Sequence, residues 1–208
     1  MPNIPNTADV DWQSAPTDLR RVALALAGPQ RAAVLRAWQV ADAAHAGMMR
    51  DEGTPFITHP VEVCRILWDE FACRDADLLC AALLHDVLED TTVGEDELRA
   101  TFGEHVTALV VAVTKVQVPT EERSTRDAAY VRSLLVASAD VRLLKMADRI
   151  HNLRMVPLSG DRAKAQRYLD VSRDVFARMA AATDPRALAL LTAACDALEL
   201  SIKRGRWR

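Results

Sequence analysis

The chain reads as an all-α protein, and three observations carry that reading. Apolar residues recur at three- and four-residue spacing, as in Val34, Leu35, Trp38 and Ala41, which turns one face of a helix toward a core. Helix start and stop signals punctuate the chain, among them Thr17-Asp18, Gly28-Pro29, Pro60 and Asp184-Pro185. Nothing in the sequence asks for a β-hairpin: no two alternating apolar runs flank a tight-turn signal.

Residues 1–17, rich in Pro, Asn, Asp and Thr, are expected to form a flexible leader. Thr17-Asp18 caps a short helix that runs to the stop at Gly28-Pro29. A half-buried helix follows over 30–47, and 47–60 is a loop carrying Gly53-Thr54-Pro55. Pro60 suits the first position of a helix that continues through Val63, Ile66 and Leu67. The apolar run 75–89 predicts the central helix of the core. Two helical pieces, 96–100 and 104–114, are hinged at Phe102-Gly103. The polar run 116–125 is expected to be an exposed loop. Helices are then expected at 126–139, 141–154, 161–182 and 185–204. There is no internal repeat and no low-complexity block, so 18–208 is expected to be one domain.

Half of the 208 residues are hydrophobic and 26% are charged, an ordinary globular composition. The net charge of -3 supplies no basic footprint for wrapping nucleic acid. Cys64, Cys73, Cys80 and Cys195 form no C-x-x-C pair, a usage that suits a reducing compartment. No signal-peptide pattern opens the chain, and no run of about eighteen apolar residues could cross a membrane. A soluble, cytoplasmic protein without a nucleic-acid or membrane partner is expected. The basic end Lys203 to Arg208 reads as a frayed, solvated terminus.

Chemistry concentrates in a few polar residues set in apolar surroundings. His85 is flanked by Leu83, Leu84, Val87 and Leu88; alone it would be an ordinary hydrogen-bonded core histidine. Asp86 beside it changes that reading, because a buried carboxylate needs a partner and one cation would satisfy both groups. His85 and Glu89 are four residues apart, as are Asp86 and Asp90, so a continuous helix would put each pair on one face. Three acids within five residues repel one another unless a positive centre lies nearby. Asp148 breaks another apolar stretch, where the alternative is a surface Asp–Arg pair of little energetic worth. His59 precedes a proline at a helix start, where capping is the plainer role. Two imidazoles and two carboxylates suit a divalent cation such as Mn²⁺. Arg142 and Lys145 read as a solvated helix edge, and His151 equally as a ligand support or a surface imidazole. His45 and His105 are not expected to be ligands.

These residues resemble a known family. His59, His85-Asp86 with Glu89-Asp90, Thr114-Lys115 and Asp148-Arg149-Ile150-His151-Asn152-Leu153-Arg154 are similar to the HD-type hydrolase domain of the RelA/SpoT alarmone enzymes. So are Ala44-His45-Ala46-Gly47-Met48-Met49-Arg50, Gly53-Thr54-Pro55-Phe56-Ile57-Thr58-His59-Pro60, and Phe102-Gly103. The match covers about 36–156, with 161–204 as scaffold helices. The resemblance implies a metal-dependent phosphohydrolase that removes pyrophosphate from the 3′ position of guanosine tetra- and pentaphosphate (ppGpp and pppGpp), giving GDP or GTP. It implies Mn²⁺ ligands at His59, His85, Asp86 and Asp148, and Glu89 and Asp90 activating or orienting water. Substrate contacts fall on Arg50, Lys115 and Asn152, with Arg50 packing on the guanine. Since the chain stops at Arg208, a stand-alone hydrolase without a synthetase domain is expected.

Two departures bear on substrate. Asp51-Glu52 follows Arg50 where the long members carry a basic or small polar pair, and Met155 replaces a common Thr. Acids beside a nucleotide pocket would repel an anion unless they point away or contact the guanine edge. This leaves two alternatives: another nucleotide substrate, such as the 2′-phosphate of NADPH, or a non-catalytic alarmone-binding or antitoxin-like module. A substrate panel separates the first, and Asp86→Ala the second, since a pure binder would keep its biological activity.

Overall fold

The structure, a computed structural model, describes residues 14–205. The leader expected over 1–17 and the last three residues of the basic end therefore lie mostly outside the described residues. The expectation of an all-α chain is borne out. Among the described residues the only β feature is one isolated antiparallel bridge, Met49 with Pro55. The backbone gathers into two compact units, residues 14–48 with 56–116, and residues 49–55 with 117–205.

In the first unit, α1 (Thr17–Leu24), α2 (Gly28–Ala44), α3 (Thr58–Arg65), α4 (Ala76–Leu84), α5 (Val87–Asp90) and α6 (Glu95–Val113) follow in order. Gly28-Pro29 both ends the α1 region and starts α2, with Pro at a first-turn position where its missing N–H costs nothing. The core centre is α4, as expected: every residue from Leu78 to Leu84 is buried, and it packs against α2, α3 and α6. Its start is fixed by Asp75, whose carboxylate accepts from the amides of Asp77 and Leu78 at 2.8 and 3.2 Å.

One boundary differs from expectation. The helix foreseen over 75–89 is interrupted by a turn at His85-Asp86 before α5, so the dyad sits at a helix end and not along one continuous face. The hinge expected at Phe102-Gly103 is borne out: α6 consists of two helical pieces meeting at a kink at Gly103, with φ 81° and ψ 174°. That backbone conformation is essentially reserved for glycine.

In the second unit, α7 (Arg123–Val136), α8 (Ala139–Met155), α9 (Arg162–Val171), α10 (Ala177–Ala181) and α11 (Pro185–Arg204) surround α8, which packs on α7, α9, α10 and α11. The polar run expected as loop over 116–125 instead contains a 3₁₀ turn, Thr120–Glu122, and the first turn of α7. The helix foreseen over 161–182 carries a π-helical turn, Ser172–Phe176, between α9 and α10. No helix among the described residues is long and apolar enough to cross a membrane.

Candidate metal centre

His59 and the His85-Asp86 dyad converge in the first unit, where their ligand atoms all lie within 4.8 Å of one another. The local chain explains why. Pro60 lies in the first turn of α3, so His59 is carried at the helix start, and the chain is tied there by the His59 amide donating to the Phe56 carbonyl at 2.9 Å. His85 and Asp86 occupy the turn that ends α4, where the helical backbone pattern lapses. His59 and His85 are 1% and 2% exposed.

The two Nε2 atoms stand 3.2 Å apart. Asp86 Oδ1 is 3.2 Å from His85 Nε2, and its Oδ2 is 3.5 Å from His59 Nε2. His85 Nδ1 lies 2.8 Å from the Ala82 carbonyl. A carbonyl only accepts, so Nδ1 holds a proton, and Nε2 is the ring atom that faces His59 and Asp86. Metal–nitrogen bonds of about 2.1 Å meeting near 90–110° separate their nitrogens by roughly 3.0–3.4 Å. The observed spacing fits that chemistry, and two neutral imidazoles and a carboxylate form a hard-to-borderline donor set for a divalent ion.

Around this cluster the structure adds residues that sequence reasoning had set aside. The rings of Phe56 and His45 stack 4.4 Å apart at 7°, and Phe56 meets His59 edge-on at 6.4 Å. His45 makes the bond within its helix region that was expected, with Nδ1 donating to the Ala41 carbonyl at 2.9 Å. Its Nε2 is buried without a hydrogen-bond partner, and burial pushes its pKa below the usual imidazole value. Phe56 could have been found from the Gly53-Thr54-Pro55 turn, which delivers the next residue toward His59. His105 is exposed and outside the cluster.

Of the acids expected to handle water, Glu89 is half-buried and accepts from the Lys115 main-chain amide at 3.1 Å. Lys115, expected as a substrate contact, thus meets the acidic segment through its backbone. Asp90 is exposed.

The second unit holds Arg50, Asp148 and Asn152. Asp148 is buried at 6% exposure, and its Oδ2 lies 2.6 Å from Lys145 Nζ. The surface Asp–Arg pair is therefore overturned, and so is the solvated edge for Lys145. Arg142 likewise has structural partners, Thr183 Oγ1 at 2.8 Å and the Ala137 carbonyl at 3.0 Å. His151 is buried, which removes its reading as a surface imidazole. Asn152 donates through Nδ2 to Asp148 Oδ1 and accepts from Arg50 at 2.8 Å. Each acid of Asp51-Glu52 has a cation: Lys164 binds Asp51, and Arg50 Nε donates to Glu52 at 2.7 Å. The Lys164 bond and charge hold the Asp51 carboxyl below its usual range. Their repulsion of an anion is correspondingly blunted.

Comparison with known proteins places this constellation in context. A 43% identical stretch of 122 residues is shared with a GTP pyrophosphokinase of Streptomyces coelicolor, covering 57% of this chain and 14% of that protein. A guanosine-3′,5′-bis(diphosphate) 3′-pyrophosphohydrolase of Vibrio cholerae is 41% identical over 133 residues, 62% of this chain and 19% of its own length. The chain thus spans less than a fifth of either relative. A solved structure, described as a metazoan ortholog of SpoT that hydrolyses ppGpp, superposes with a TM-score of 0.72 at 25% identity. That match covers 83% of this chain and 96% of the other. The HD domain model matches residues 37–184, a span that contains the His59–His85–Asp86 cluster, Glu89, Asp90, Asp148 and Asn152; the chain belongs to the HD domain family.

Proposed function

We propose that this protein is a Mn²⁺-dependent guanosine-3′,5′-bis(diphosphate) 3′-pyrophosphohydrolase, which converts ppGpp or pppGpp and water into GDP or GTP and pyrophosphate. The observation that carries the reading is the His59–His85–Asp86 cluster, two buried histidines and a half-buried carboxylate, whose nitrogens stand at a spacing suited to one divalent ion. Relatives named for this reaction, and a superposable fold described as hydrolysing ppGpp, support the substrate.

In this proposal Asp148 completes the ligand set; its burial and its Lys145 and Asn152 partners are what a carboxylate kept ionised requires. A divalent ion held by these four residues would neutralise phosphate oxygens and make water a stronger nucleophile. Glu89, anchored by the Lys115 amide, keeps a carboxylate in place to accept a proton from that water, and Asp90 assists as a second acid. Arg50 packs on the guanine, while Asn152 and Lys115 contact the nucleotide. The four cysteines form no disulfide, which fits a cytoplasmic setting.

The test incubates the full chain with Mn²⁺ and ppGpp and follows GDP and pyrophosphate release. Asp86→Ala should lower kcat about a thousandfold, the rate equivalent of several kcal/mol of lost cation stabilisation. Intact substrate after hours with wild type would refute the proposal.

A further inference from the structure

We propose that Glu52 is a positioning residue, setting how Arg50 meets a nucleobase and, through Asn152, tying that contact to Asp148. The inference rests on the nucleotide reading above and assigns a role to an acid that the sequence left between repelling an anion, pointing away and contacting the guanine edge.

Its basis is a continuous polar chain inside the second unit. Glu52 accepts from Arg50 Nε at 2.7 Å, and Arg50 Nη2 donates to Asn152 Oδ1 at 2.8 Å. Asn152 Nδ2 donates to Asp148 Oδ1, and Lys145 lies 2.6 Å from Asp148 Oδ2. The Glu52 side chain is 5% exposed and that of Arg50 14%. A carboxylate so enclosed needs a charged or hydrogen-bonding partner, and Arg50 supplies one. The loop is shaped to bring them together. The Arg50 amide donates to the Thr54 carbonyl and the Gly53 amide to the Arg50 carbonyl, both at 2.9 Å. Gly53 adopts the positive φ of 83° that the turn requires.

Two consequences follow from donor and acceptor chemistry. The Arg50 bonds to Glu52 and Asn152 run through N–H groups set in the guanidinium plane, and a guanidinium engaged along its edges recognises a planar ring through its face. With Glu52 compensating its charge, Arg50 is built to select a purine and not to grip a phosphate. Asn152 is fixed in turn: arginine only donates and a carboxylate only accepts, so the amide fits this chain in one orientation alone. A base seated on Arg50 and a cation on Asp148 are therefore linked through one amide, and each should strengthen the other's binding.

Guanosine, which has no phosphate to touch a metal ion, isolates that linkage. Calorimetry on the full chain should show Mn²⁺ tightening guanosine about three- to tenfold. Glu52→Ala should weaken guanosine about tenfold, the worth of one charge-assisted hydrogen bond, and erase the Mn²⁺ effect. Glu52→Gln, which keeps an acceptor for Nε–H, should stay within about threefold of wild type. Asn152→Ser, which keeps the Glu52–Arg50 ion pair but removes the amide between Arg50 and Asp148, should lose the linkage even if Glu52→Ala fails to fold. Wild-type affinity and linkage in Glu52→Ala, a Glu52→Gln as defective as Glu52→Ala, or a surviving linkage in Asn152→Ser would each overturn the proposal. A wild type that binds no guanosine would instead overturn the nucleotide reading beneath it.

Discussion

His85 divides its work between two ring nitrogens: Nδ1 is committed to the Ala82 carbonyl, so Nε2 is left to face His59 and Asp86. His85→Ala should therefore abolish Mn²⁺ binding measured by paramagnetic titration while helix content by circular dichroism is kept. Retained binding would contradict the cluster. Lys145 holds the place on Asp148 that a cation would share. Lys145→Met should destabilise the metal-free protein by about 3 kcal/mol, because one member of a buried pair is left behind. If Asp148 is a ligand, saturating Mn²⁺ should recover most of that loss in a thermal melt. His45 gives a pH dependence of definite sign. Burial lowers its folded-state pKa below 6.5, so the unfolded chain takes up the proton first. Its contribution is complete above 6.5 and lost as pH falls below that value. Urea titrations between pH 7.5 and 5.5 should show declining stability, and a flatter decline in His45→Gln.

At the scale of elements, helix ends matter more than helix middles. The dyad stands where α4 stops, and His59 where α3 begins, so each side chain of the cluster is carried at the end of a helix. The Gly103 kink is the most demanding backbone position in α6. Gly103→Ala should cost about 1–3 kcal/mol by forcing a side chain into that conformation, although a Cβ there meets nothing within 4 Å. A change in the urea midpoint below the equivalent of a few tenths of a kcal/mol would show that the kink relaxes freely. The π-helical turns Ile66–Glu70 and Ser172–Phe176 each accommodate an extra residue within a helical run, which no apolar periodicity announces.

For the whole molecule, binding and stability are one equilibrium. A cation that binds only the folded chain should stabilise it by about 2.7 kcal/mol at a concentration a hundredfold above its Kd, and a chelator should reverse this. Thiols report the same equilibrium independently. Burial pushes Cys64 well above its usual range and Cys80 up to about 12, so neither presents a thiolate while the protein is folded. Labelling of both by iodoacetamide should wait on unfolding and slow further with Mn²⁺, whereas half-buried Cys73 should react first.

The all-α class, most helix positions, and the singling-out of His59, His85, Asp86 and Asp148 were legible in the sequence by itself; that His59, His85 and Asp148 are buried while Asp86 is only half-buried was not. Periodicity, caps and the cost of burying charge are local properties that each residue carries with it. Only the tertiary structure decided that α4 breaks at the dyad, that Phe56 and His45 back His59, and that Lys145 serves Asp148. It also turned Asp51 and Glu52 from repelling acids into compensated ones. Arg50 and Asn152 lie 102 residues apart, and whether such groups meet depends on how the apolar faces of distant helices pack, which no local pattern encodes.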